Sequence, residues 1–401
     1  MRSRMTIVAC GALTAVMASG YGVLFTLLDD YRDRFGISET ALGGIVAIGF
    51  LSSVVSQFFI APLADRGHVR LFIVGGVLIN LAGLLVMAYG TSAPQLLVGR
   101  FVMGVGIGIA HPAIRRVVVL SDTGDMGGNL GLVLSADIFG FAAGPAISAV
   151  LAGPFGLPAP FLFVAGVTLA CLPLVMRIPL NEPDTEAEPT PRLAFDLLRN
   201  RAYAAAVAIG CGVFLMIGTF DALWSLVLDD LHASTLVANL GITLFAIPLI
   251  LMGRLSGRLA QRVGPFRIGV LGLALESVFI AGYGVMSTAR QMFFIAMCHA
   301  LVDGLSVSSS SVAAGMTLPP ERQAAGHGLL GGMETLVGGM TALLAGYLYE
   351  HHGRATAYGF AAAGMTVCWV LARILTGDQW AMKGGSVEEP TAWPAAVTPG
   401  P

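Results

Sequence analysis

Four carboxylic acids stand inside long apolar runs where packing alone does not account for them. Asp137 and Glu334 lie near the middle of two such runs. Asp303 follows His299 by four residues, with Ser306 and Ser310 continuing the stripe, and Asp221 stands one turn before Ser225. A charge in hydrocarbon is costly unless paired, hydrated or neutralised, so intramembrane acids are functional candidates by default. Low dielectric favours the protonated carboxyl, which suits reversible proton binding linked to movement of a solute. Arg100 is the counterpart among the cations, and an uncompensated charge at its depth costs about 3 kcal/mol. Gly104, Gly108, His111 and Arg115 follow it at helical spacing. The titration range of His111 fits a proton relay. With His299, Ser306, Ser310, Tyr21 and Trp224 it makes up the candidate substrate cavity. Glu276 is a further acid in the ninth run, and no role follows from its position.

The surroundings of these residues are those of a membrane protein. Of 401 residues 56% are hydrophobic and only 11% charged, with a mean hydropathy of +0.80. Soluble domains carry about 25% charged residues, so a soluble enzyme or a nucleic-acid binder is excluded. Apolar runs long enough to cross roughly 30 Å of hydrocarbon predict twelve helices. They fall near 5–28, 41–63, 71–90, 94–114, 127–151, 158–178, 202–228, 235–257, 267–286, 291–315, 325–349 and 355–376. The first follows Arg2 and Arg4; its length and lack of a small-residue cleavage site mark a span rather than a cleaved leader. The five cysteines all lie within apolar segments and read as free thiols.

The expected organisation is a six-helix unit over 1–178, a polar linker over 179–201, a second six-helix unit over 202–376, and a disordered tail over 377–401. Of the 22 Lys and Arg residues, 17 fall on the side of both termini, leaving Arg32, Arg34, Arg100, Arg290 and Arg354. By the positive-inside rule both termini are cytoplasmic. The halves resemble each other. Leu27-Leu28-Asp29-Asp30 returns as Val227-Leu228-Asp229-Asp230, and Pro62-Leu63-Ala64-Asp65-Arg66 as Arg258-Leu259-Ala260-Gln261-Arg262. A six-helix unit duplicated in one orientation is a transporter architecture.

Three motifs narrow the class. Ala61-Pro62-Leu63-Ala64-Asp65-Arg66-Gly67-His68-Val69-Arg70 resembles the loop between helices 2 and 3 of the major facilitator superfamily, with Ala61 in place of the first glycine. Leu96 to Gly108, containing Arg100, Gly104 and Gly106, resembles its fourth-helix motif, with Met103 where glutamine is usual. Gly140-Phe141-Ala142-Ala143-Gly144-Pro145 resembles its antiporter signature, with Ser148-Ala149 at the terminal glycines. The resemblance implies an all-α fold of twelve transmembrane helices in two pseudo-symmetric six-helix bundles. It also implies a cytoplasmic latch built on Asp65, Arg66, Arg70 and Arg115, in which Asp65 accepts bonds from an arginine or a helix N-terminus. Arg100 then joins Asp137, Glu334, Asp303 and Asp221 in proton coupling.

The function so implied is that of a bacterial cytoplasmic-membrane transporter, not an enzyme. It would export a small molecule, a drug or metabolite, by alternating access in exchange for protons. Its partners are the solute, protons and the lipid bilayer; it needs no cofactor or metal, the proton gradient being its energy source, binds no nucleic acid, and works as a monomer. The rival within transport is proton-linked uptake of a sugar or organic acid. A transporter-like sensor or membrane enzyme is the rival outside it; the run Ser308 to Ser311 near His299 invites a hydrolase, but no nucleophile elbow accompanies it.

Overall fold

The structure, a computed structural model, describes residues 2–176, 193–233 and 235–384. Backbone groups in hydrocarbon must be satisfied within their own segment, which selects helices. The described residues form α1 (Arg2–Phe25), α2 (Leu28–Phe35), α3 (Glu39–Phe59), α4 (Val69–Tyr89), α5 (Ala93–Ser121), α6 (Met126–Phe155) and α7 (Pro158–Met176) in the first half. The second half comprises α8 (Arg201–Asp230), α9 (Thr235–Val263), α10 (Pro265–Tyr283), α11 (Ala289–Ser306), α12 (Ser309–Thr317), α13 (Gln323–His352) and α14 (Arg354–Thr376). Counting α11 and α12 as one broken span and leaving out the short α2 gives twelve. Polar side chains start several of them: Ser38 accepts from the Ala41 N–H, Asn200 from Ala202 and Tyr203, and Thr288 from Gln291.

The halves repeat one packing scheme. In the first, α1 packs on α6 and α5 on α3 and α4; in the second, α8 packs on α13 and α11 on α9 and α10. They meet along two seams, α6 with α9 and α13 with α3 and α5. Glycine lets the backbones meet there: a Cβ on Gly127 or Gly131 would strike the carbonyls of Gly257 or Gly253, and one on Gly328 the carbonyl of Gln57. Both seams begin at the end carrying Asp65.

Four local departures from the sequence expectation have physical causes. The acidic stretch between the first two expected spans forms a helix of its own, α2, where Arg32 pairs with Asp29 and Asp33 and Gly36, at φ 64°, ends the helix. The tenth span breaks between α11 and α12 because the Ser308 N–H turns to the Ser256 hydroxyl, 3.3 Å away, and the Ser308 hydroxyl to the Gly253 carbonyl. Residues 179–192 of the linker lie outside the described residues, but its last turn, Phe195–Arg199, is a 3-10 helix tied to α13 by the Asp196–Arg322 ion pair. The tail is not disordered from its start. Gly377–Ala381 forms a 3-10 helix, Trp380 stacks under Arg373, and the Gly384 N–H reaches the Gln261 carbonyl at 2.7 Å. Residues 385–401 lie outside the described residues.

Candidate transport site

Asp65 sits in a 3-10 turn (Ala61–Arg66) after α3 and is buried. It accepts from Arg116 Nε at 3.0 Å and from the backbone N–H groups of Ala324 and Ala325 at 3.0 and 2.7 Å. Those two N–H groups belong to the first turn of α13, where unsatisfied donors and the helix dipole favour an anion. The other expected members of this cluster go elsewhere. Arg66 is exposed, Arg70 donates to the Met176 carbonyl at the end of α7, and Arg115 points into the space between the halves. Arg116 takes the expected place of Arg115, because successive helical residues point about 100° apart.

The second half answers with its own version. Gln261 Oε1 accepts from the Gly127 N–H, in the first turn of α6, at 2.7 Å. Asp125, just before α6, accepts from Arg258 Nε and a terminal nitrogen at 2.7 Å each and from Arg254 at 3.0 Å. Hydrogen bonds from Arg258, then from Arg254, hold its carboxyl below the usual range. Sequence reading missed Asp125; its signal was the acidic run Asp122-Thr123-Gly124-Asp125 opposite an arginine-bearing repeat of the Asp65 motif.

Further along the bundle a charged cavity opens between the halves. Thr14 of α1, His111 and Arg115 of α5, Asp137 of α6 and Ser311 of α12 line it, with Leu130, Val133 and Leu134. Its free space is on the scale of one water. Glu334 of α13, the repeat counterpart of Asp137, is buried nearby and accepts from the Ser310 hydroxyl at 3.1 Å. Arg115 is within electrostatic reach of Glu334 and of His327, a buried histidine of α13 that sequence reading also missed. Asp137 in turn lies within electrostatic reach of His111, whose Nε2 is buried and unbonded. The structure thus brings Asp137, His111 and Glu334, the last bonded to Ser310, near Arg115.

Other expected members stand apart. Arg100 is fully buried, so it does not snorkel; its guanidinium lies 3.7 Å over the Tyr21 ring and one nitrogen reaches the Tyr21 carbonyl at 3.5 Å. Tyr21, in turn, donates to the Gly49 carbonyl and belongs to this cation–π pair rather than to the cavity. Trp224 is buried against Phe220, and His299 is enclosed by Phe245, Phe279 and Tyr283 in the second half. The break between α11 and α12 sends Ser306 to Glu276 rather than to the cavity. Asp303 is buried beside that pair, and Asp221, on α8, is not among the residues that line this cavity. The motif glycines serve contact between helices. A Cβ on Gly104 or Gly108 would enter α3, and one on Gly140 or Gly144 would enter α1, with Pro145 just after the second contact.

A two-bundle helical fold with repeated halves and a charged site between them defines a secondary transporter. The model of the Major Facilitator Superfamily matches residues 9–229 and 206–394, and the chain belongs to that family. It is 22% identical over 363 residues to an uncharacterised MFS-type transporter of Methanocaldococcus jannaschii, covering 86% of this chain and 91% of that protein. It is 25% identical over 305 residues to the multidrug resistance protein MdtG of Serratia proteamaculans, covering 71% and 73%. Among solved structures, the human organic anion transporter TETRAN superposes with a TM-score of 0.75 at 15% identity, covering 93% of this chain and all of that one. The fucose:proton symporter of Escherichia coli gives 0.73 at 16% identity, covering 94% and 99%. The chain is a transporter and not an enzyme.

Proposed function

We propose that this transporter exports a small cationic or amphipathic molecule in exchange for protons. The observation that carries the reading is Arg115, which lines one cavity with Asp137 and lies within electrostatic reach of Glu334, two acids on repeat-related helices of opposite halves. One guanidinium balances one carboxylate, so the pair of acids leaves one negative charge to be met by a proton or by a cationic solute. Two cations competing for one charge are the elementary requirement of antiport. Likeness to multidrug resistance proteins and the resemblance of Gly140 to Pro145 to the antiporter signature support export.

The Asp65 end is taken as cytoplasmic, from the arginine distribution, with both termini on that side of a bacterial inner membrane. Asp65, Arg116, Asp125 and Gln261 then form the gate that closes this side while the other opens. A monomer suffices, since both acids and the arginine lie in one chain, and the proton gradient supplies the energy. Proton-linked uptake is the second reading; an organic acid as its solute is favoured by 31% identity over 154 residues to a 4-hydroxybenzoate transporter of Pseudomonas putida, which spans 37% of this chain and 33% of that one.

Everted vesicles, acidified inside and followed with a pH-sensitive dye, distinguish the two. Candidate solutes added singly are expected to trigger proton release from the lumen with the native protein, and none with Asp137→Asn or Glu334→Gln. Solute-triggered release that survives both substitutions overturns the assignment of the coupling acids. Solute that leaves the lumen together with protons overturns export.

A further inference from the structure

The acid that sequence reading left without a role, Glu276, has a partner. Glu276 on α10 and Asp303 on α11 are both fully buried and within electrostatic reach of each other. Glu276 Oε1 accepts from the Ser306 hydroxyl, while its Oε2 and both oxygens of Asp303 have no hydrogen-bond partner. No arginine among the described residues is bonded to either. The groups facing the pair are neutral or weakly acidic. On α10 and α11 they are Tyr283, Cys298 and His299; α14 contributes Tyr358. From α9 come Phe245 against His299 and Pro248 against Gly304, and from α8 Ile209 against Gly269. Arg354, at the start of α14, is spent on the Met286 carbonyl.

Two bare carboxylates cannot share such a pocket: their repulsion adds to the cost of burying each charge, and no cation offsets it. Packing decides what compensates them. A Cβ on Gly272, one turn before Glu276, would strike the Ser306 side chain, so α10 and α11 are in backbone-close contact beside the acids. A proton needs no room and no coordination shell, whereas a sodium ion needs about six oxygens around it. We propose that Glu276 and Asp303 form a second proton-binding site, which holds one proton between them and is separate from the cavity of Asp137 and Glu334. His299 lies one turn from Asp303 on α11, with Nδ1 3.0 Å from the Tyr283 hydroxyl and Nε2 buried and unbonded. This site depends neither on the direction of transport nor on the identity of the solute.

Infrared pH-difference spectroscopy of the purified full chain in nanodiscs, in sodium-free buffer, tests it. The native protein is expected to show a carbonyl band of a buried carboxylic acid that disappears as the pH is raised. Part of that band is to be lost in the Glu276→Gln/Asp303→Asn double variant, and the same part retained in Asp137→Asn and in Glu334→Gln. In each single variant the surviving acid titrates more than about one pH unit from the native midpoint, as for interacting sites. A band unchanged between native protein and double variant, or unshifted midpoints in the single variants, overturns the proposal. Loss of the native band on adding sodium chloride at fixed pH overturns it in favour of a metal-cation site. Should Asp303→Asn fail to fold, Glu276→Gln and the sodium titration decide alone.

Discussion

Replacing Asp65 by Asn should open the seam between the halves at that end, by an amount the geometry sets. Asp65 spans the seam with two bonds to α13 backbone N–H groups and neutralises the buried Arg116. The isosteric amide keeps one acceptor oxygen, turns its NH2 towards an N–H group it cannot bond, and carries no charge for Arg116. A hydrogen bond to a charged group contributes about 1.5–3 kcal/mol. Losing one and weakening the other therefore costs the closed form about 3 kcal/mol. At about 1.4 kcal/mol per factor of ten, the equilibrium moves more than a hundredfold towards the open form.

Gln261→Ala, which removes one neutral bond from the Gly127 N–H, should move it only about fivefold, for about 1 kcal/mol. Spin labels on two exposed positions of opposite halves, His68 and Glu321, read the change by pulsed dipolar spectroscopy as growth of a longer-distance population. Equal populations in native and Asp65→Asn protein, or a larger opening in Gln261→Ala, would refute the reasoning.

Three further outcomes follow from other contacts. The Asp125 carboxyl is held low by Arg258 and Arg254, so its stabilisation is complete above the ordinary carboxylate pKa and is lost as the pH falls through its depressed value. Native and Asp125→Asn proteins should therefore differ in unfolding by about 1 kcal/mol near neutral pH, since the pair is partly exposed, and converge in acid; a difference that grows on acidification contradicts this. Gly140→Leu places side-chain atoms on the Ala15 carbonyl of α1 and should lower the thermal midpoint in detergent by the equivalent of about 1–3 kcal/mol, whereas at Gly153, with nothing near its Cβ, the same change should be nearly silent. Tyr21→Phe keeps the ring under Arg100 and loses only the bond to the Gly49 carbonyl, about 1 kcal/mol. Tyr21→Leu also removes the cation–π contact and should cost about 2 kcal/mol more; equal midpoints for the two variants would remove that contact from the account.

What the sequence made legible was whatever depends on spacing along one helix or on repetition between halves. Twenty-residue apolar runs announced the spans, and Asp137 and Glu334 stood out because each occupies the same place in its own half. Asp65 could be read as an acceptor because its motif, Ala61 to Arg70, resembles the family's latch loop. What depends on rotation or on a break was not legible. Nothing in the pair Arg115-Arg116 says which faces Asp65, since that is set by how α5 turns against its neighbours. Ser306 and Ser310 look like one stripe until the chain breaks at Ser308, after which they serve Glu276 and Glu334. The partner of Arg100 was hidden for another reason: it is an aromatic face, not an acid.

The adjacency of Arg115 and Arg116 makes α5 a camshaft. One residue engages the charge cavity and the next engages the gate, about 1.5 Å further along the axis and a fixed angle around it. A rigid helix cannot turn one without turning the other, so any rotation that draws Arg115 towards a newly uncovered carboxylate also pulls Arg116 against Asp65. Timing between solute site and gate is thereby written into two successive codons. A one-residue insertion between them would leave every side chain present and put the two events out of phase.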